Sequence, residues 1–278
     1  MVICTLRNEG DRIRRAIVCT PASEYFQVSD ISAHNITERA DEERAREQHD
    51  CLKSTLKKSG CEIIDIAELP KHPNSVFTRD PSLCTPGGYI RLRMGLDSRR
   101  DEESWIARVL DSLGEPMAGG IEPPGTAEGG DVILAGSVAF LGRSQRTNES
   151  GVRQVSKLLK TMGYEIRSAI VPAPYLHMGG AMSMLGPDLV LCCQGVFPTD
   201  FFGGFDTVEV SARTFVSGNV ICVRRKEAIA NASCTDATDA LKEAGVRVHE
   251  IDLSEFVKGT GGPSCLIMPV ERTAGNTD

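Results

Sequence analysis

The sequence predicts an α/β fold assembled from a recurring strand–strand–helix–strand unit, and three observations carry that expectation. Helical patterns close repeatedly on a glycine that a β-type run then follows, at Ser59-Gly60, Leu113-Gly114, Met162-Gly163 and Ala244-Gly245. Short polar turns open strand-like runs at Arg79-Asp80-Pro81, Gly130-Asp131 and Gly218-Asn219. These turns recur, with 51 residues from Asp80 to Asp131 and 88 from Asp131 to Asn219, and the longer gap leaves room for one degenerate copy.

Taken in order, an N-terminal copy ends at Gly60, where Lys57-Lys58-Ser59-Gly60 passes into Cys61-Glu62-Ile63-Ile64. The next opens at 79–83, has a second strand at 89–93, and carries a helix marked by Ile106, Val109, Leu110 and Leu113. In the third, strands at 130–134 and 138–141 precede the clearest helix. There Val152, Val155, Leu158, Leu159 and Met162 recur at three- and four-residue steps and make one apolar stripe. The degenerate copy falls between His177 and Val210. The last runs from Gly218-Asn219 through a weak strand at 227–230 to Ala244-Gly245-Val246. About five units in one domain spanning residues 1–278 result. A closed ring of such units needs no terminal caps, but an ordinary α/β sheet alternates in much the same way, and periodicity leaves both open. In a ring, equivalent turns carrying Asp80, Asp131 and Asn219 would face one axial cavity.

Composition narrows the function classes. A chain of 278 residues can bury a substantial core, and 41% hydrophobic with 25% charged residues excludes wholesale disorder. The net charge of −7 argues against a nucleic-acid binder. No stretch supplies the roughly 20 apolar residues that a membrane span needs; the nearest, 176–197, is broken by glycines, prolines and Asp188. The start, MVICTLRNEGDRIRR, turns charged by Arg7 and lacks a secretory apolar core, so a cytoplasmic protein is expected. Ten cysteines stand at 4, 19, 51, 61, 84, 192, 193, 222, 234 and 265, with no C-x-x-C pair and no zinc-finger spacing. Neither a metal nor a cofactor is expected, and most of these cysteines read as small buried hydrophobes in a reducing compartment.

Several residues stand apart from that background. Cys265 ends Gly259-Thr260-Gly261-Gly262-Pro263-Ser264-Cys265, a tight turn that could present a thiolate to a ligand or simply pack a thiol. His177, between a strand-like run and Met178-Gly179-Gly180, is an acid/base candidate or a satisfied core histidine. Glu128 and Asp131 frame a double glycine, where they could orient a base, bind a cation or cap the turn's N–H groups. Asp80 is held before Pro81. His34, His49 and His72 lie in polar surroundings and read as surface, and His249 reads as part of an alternating strand.

Phe77-Thr78-Arg79-Asp80-Pro81, Glu128-Gly129-Gly130-Asp131, Leu176-His177 and Gly261-Gly262-Pro263-Ser264-Cys265, in that order and spacing, resemble the guanidino-group-modifying superfamily. It comprises dimethylarginine dimethylaminohydrolases, arginine deiminases and amidinotransferases, and the resemblance covers about residues 74–269. It implies the pentein fold, a five-bladed pseudo-symmetric α/β propeller of ββαβ units. It further implies Cys265 as nucleophile, His177 as general acid and then base, Glu128 as third triad member, and Asp80 as guanidinium ligand. Arg99 and Arg146 would hold the substrate carboxylate; Asn74, Phe77, Asp131 and Ser264 would complete the binding site.

The implied partner is a small guanidino amino acid, with no nucleic acid, membrane or cofactor, and with a homodimer as the expected assembly. The length suits the dimethylarginine hydrolases, and Gly179 stands where deiminases place an aspartate. FTRDP is deiminase-like, however, and Asn74 and Arg79 stand where bacterial dimethylarginine hydrolases show acids. The substrates thus span methylarginine, arginine and citrulline. An amidinotransferase and a ribosome-binding propeller are the other expectations.

Overall fold

The computed structural model describes residues 5–274, which form five three-stranded sheets arranged as a closed ring. The first unit holds β1 (Arg12–Cys19), a short α1 (Ser23–Phe26), α2 (Glu42–Lys58) and β2 (Glu62–Ile66), so it continues past Gly60 into a strand. The second comprises β3 (Ser82–Thr85), β4 (Gly88–Arg91), α3 (Glu102–Ser112) and β5 (Met117–Gly120). The third comprises β6 (Val132–Ala135), β7 (Val138–Arg143), α4 (Glu149–Thr161) and β8 (Glu165–Ile170). In the fourth, β9 (Met182–Gly186), β10 (Leu189–Cys193) and β11 (Asp206–Val210) have no helix between them, which is why this copy looked degenerate. The fifth has β12 (Val220–Arg224), β13 (Glu227–Asn231), α5 (Thr235–Glu243) and β14 (Arg247–Ile251). After a single helical turn, α6 (Ser254–Val257), the chain ends in β15 (Met268–Thr273).

Each unit follows one rule. Its first two strands pair antiparallel, and the third pairs parallel with the second because the chain must cross over the sheet to reach it. The first unit obtains its antiparallel strand from the far end of the chain, since β15 lies against β1 from Arg12↔Thr273 to Ile17↔Met268. This exchange closes the ring.

The local sequence explains the crossovers. At the start of α4 the Asn148 side chain accepts from the Gly151 N–H at 2.8 Å, which satisfies one of the helix's orphan donors. Val155 and Leu159 are buried, and Val152, Leu158 and Met162 pack against the same core. Gly163, at φ 83°, takes the left-handed position that turns the chain into β8.

Burial falls outward along each sheet. β3, β6 and β9 are buried at every residue, whereas β2, β8 and β11 on the outer edge are mostly exposed or half-buried. The inner strands therefore meet around the axis and the helices cover the outside.

One surface expectation fails. His49 is fully buried in α2, 5.9 Å from the Phe256 ring. Its sequence neighbours are polar, but Ala45, His49, Leu52 and Leu56 share the helix face turned to the core. His34 and His72 are half-buried. His249 lies in β14 with Nε2 2.8 Å from Glu227 Oε1. Cys19, Cys61, Cys84, Cys192, Cys193 and Cys222 are buried, Cys51 is exposed, and Cys234 and Cys265 are half-buried; Cys4 lies outside the described residues. Among the described residues no helix is long and apolar enough to cross a membrane.

Candidate active site

Each inner strand is preceded by a tight turn, and the ring brings these turns together at one end of its axis. They carry Asp80 before β3, Glu128 and Asp131 before β6, His177 before β9, Asn219 before β12 and Cys265 before β15. A relay of hydrogen bonds stitches each turn to the next. Asp80 Oδ1 accepts from Gly130 N at 3.1 Å, Asp131 Oδ1 from Met178 N at 2.9 Å, and Asn219 Oδ1 from Ser264 N at 2.8 Å. The Asn219 amide donates to the Gly179 carbonyl at 2.7 Å, and Arg79 N donates to the Cys265 carbonyl at 3.3 Å. Asp80, Asp131 and Asn219 thus do the same structural work in the second, third and fifth units. The double glycine after Glu128 is required by close approach, because a Cβ on Gly130 would come within 2.8 Å of the His177 ring.

Two adjoining pockets of about 260 and 300 Å³ open over these turns, and Leu176, His177, Thr260 and Cys265 line both. His177 Nε2 is 2.7 Å from Glu128 Oε2 and 4.0 Å from Asp80 Oδ1. Burial alone would raise the Glu128 carboxyl, but the bond to His177 and the Arg146 and Arg99 charges draw it well below the usual carboxylate range. Burial works against a charged His177, yet Asp80, Glu128 and Asp131 raise it to about 9. An imidazolium is therefore available near neutral pH. The Cys265 thiol is pushed up to about 11, by burial first and by Asp80 second, while Arg79 and Arg99 pull it down. A cationic ligand beside the thiol would add to that downward pull.

Asn74, Phe77, Asp80, Arg99 and Arg146 line the first pocket, and Ser264 lines the second. Asp131 lies outside the lining of both. Its second oxygen accepts from the Ser144 hydroxyl at 2.6 Å, and burial raises its carboxyl to about 6. It braces the turn that carries His177.

Asp80 keeps one oxygen for the pocket, and Arg99 Nη1 donates to it at 2.7 Å. Arg99 is held from behind by Glu102, whose two oxygens accept from its Nε at 3.1 and 3.0 Å and from Nη2 at 2.7 Å. Glu102 is fully buried, and burial pushes its carboxyl up to about 7 despite Arg99.

Glu102 escaped the sequence reading, although its place three residues after an arginine at a helix start was the available signal. Asn219 was legible as an axial residue; its contact with Cys265, Nδ2 to Sγ at 3.8 Å, was not. The ligand atoms of Asp80, Glu128 and His177 also lie within 4.8 Å of one another, as a cation site would require. A metal there would have to compete with Arg99 for Asp80 and with Arg146, 3.5 Å from Glu128.

Comparison with known proteins follows the same lines. Residues 19–272 match the family described as N,N dimethylarginine dimethylhydrolase, eukaryotic. The chain is 31% identical over 231 residues to the N(G),N(G)-dimethylarginine dimethylaminohydrolase of Pseudomonas aeruginosa, covering 82% of this chain and 89% of that one. To the enzyme of the same name from Streptomyces coelicolor it is 26% identical, with 91% and 95% covered. A solved structure of the Pseudomonas aeruginosa protein, a mutant complexed with citrulline, superposes with a TM-score of 0.81 at 27% identity, covering 92% of this chain and 99% of that one.

Proposed function

This chain belongs to the dimethylarginine dimethylaminohydrolase family, and from that premise we propose that it hydrolyses the guanidino C–N bond of an N-omega-methylated arginine to give citrulline and an amine. The observation that carries this reading is the meeting of Cys265, the His177–Glu128 pair and Asp80 at one cavity. Binding of the cationic substrate draws the Cys265 proton off to solvent, and the resulting thiolate attacks the guanidino carbon. The imidazolium of His177 gives its proton to the departing amine as the C–N bond breaks, leaving an S-alkyl thiouronium. His177, now neutral, takes a proton from water as that water attacks the same carbon. The C–S bond then breaks with its electron pair leaving on sulfur, and the added hydroxyl loses its proton, which releases citrulline and regenerates the cysteine beside the His177 imidazolium.

A guanidinium is planar and cationic, and Asp80 offers a carboxylate to fix its plane. Arg146 and Arg99 receive the substrate carboxylate, with Arg99 releasing Asp80 as the guanidinium arrives. Phe77, Asn74 and Ser264 shape the pocket, and Asp131 holds the His177 turn. The site and its scaffold act as one domain, since every unit supplies a turn to the cavity.

A mass-resolved assay on dimethylarginine, monomethylarginine, arginine and citrulline tests the proposal. Release of dimethylamine or methylamine with citrulline is expected. Ammonia from arginine as the main product, or transfer to an added amine, would overturn the substrate assignment. Cys265→Ser should abolish turnover while the fold persists, and retained activity would remove the nucleophile.

A further inference from the structure

On the other side of Gly130, Gly179 and Ser264, which also border the substrate pocket, lies a separate small cavity. Its charged residues are Glu9, Arg79 and Arg272, and its apolar wall includes Ile133, Val220 and Ile267. Arg79 is fully matched. Its Nη2 meets Glu9 at 2.7 Å and the Val132 carbonyl at 2.8 Å, and its Nε donates to the Gly129 carbonyl at 3.2 Å.

Arg272 is not matched. It is only 4% exposed, and its Nη1 donates to the carbonyls of Asp11 and Cys222 at 2.6 and 2.8 Å. Its buried Nε has no hydrogen-bond partner among the described residues, and none of their carboxylate oxygens lies within 4.0 Å of the guanidinium. Glu9 bridges Arg79 and acts on Arg272 only from beyond contact distance. Asp11 acts on Arg272 only from a distance and is half-exposed. Cys222 lines the cavity as a neutral thiol, since burial pushes it up to about 12. A buried guanidinium with no carboxylate in direct contact is costly, and arginine does not escape the cost by losing its proton.

We propose that this cavity is a binding site for a small inorganic anion of the size and charge of chloride, held by the Arg272 guanidinium in a charged lining, Arg272 and Arg79 with Glu9, that is net positive. The carbonyls take only the Nη1 donors, so the rest of the guanidinium is left to meet the ion. Low local dielectric strengthens its hold. The site is independent of the hydrolase reading, because the turns of the substrate pocket separate the two cavities.

Crystals soaked in sodium bromide should show an anomalous peak within hydrogen-bond reach of the Arg272 guanidinium. In solution, replacing gluconate by chloride at constant ionic strength should raise the thermal midpoint saturably, by about 2–4 °C. Arg272→Met should remove that rise. Bromide crystals with no peak at Arg272, equal midpoints in the two salts, or an undiminished chloride effect in Arg272→Met would overturn the proposal. Should the variant fail to fold, the bromide map decides alone.

Discussion

Asp80 serves two masters. One oxygen is committed to the turn at Gly130, and the other faces the pocket, where Arg99 meets it. Its negative charge also raises the Cys265 thiol. Asp80→Asn should therefore separate reactivity from turnover: alkylation of Cys265 by iodoacetamide speeds up below pH 11 because more thiolate is present, while hydrolysis falls about 100-fold or more for want of the guanidinium ligand. Equal losses in both assays would contradict this.

The same charges make stability depend on pH. His177 is raised in the fold from 6.5 to about 9, so its contribution is fully present below pH 6.5 and is lost as pH rises through about 9. Urea midpoints should decline across that window, and His177→Gln should flatten the decline. The types of these residues and their order along the chain were readable beforehand. Their pairing was not, since Glu128 and His177 are 49 residues apart and meet only through the ring.

Elements were legible in proportion to how far they depend on local sequence. α4 has a side-chain cap, a full apolar stripe and a closing glycine, and each could be read directly. His49 in α2 was misjudged because neighbouring polarity was weighed over helical phase. The fourth unit was legible only as a gap, because a segment at 194–205 replaces its helix. Leu159, completely buried in α4, lies under the third sheet. Leu159→Ala should cost about 2–5 kcal/mol in a denaturant titration, the range for a cavity left by a buried leucine.

At the scale of the molecule, the repeat was visible and its closure was not. Nothing local in 268–273 announces that this strand pairs with one beginning at Arg12, because the partner is chosen by the geometry of all five units. The relay of turn-to-turn hydrogen bonds likewise needs every unit in place. A chain terminated before Met268 should lose its cooperative unfolding transition and expose its buried cysteines to thiol reagents. Retention of a sharp transition would mean that four sheets and a remnant suffice.

That closure also sets an order of events. Cys265 stands just ahead of β15, the strand that completes the first sheet, and its neighbours Asp80, Glu128 and His177 are all made earlier. During synthesis Asp80, Glu128 and His177 emerge before the thiol, yet none of the four side chains is held in place until the last strand docks on the first. On the proposed reading, catalysis therefore waits until β15 has docked on β1.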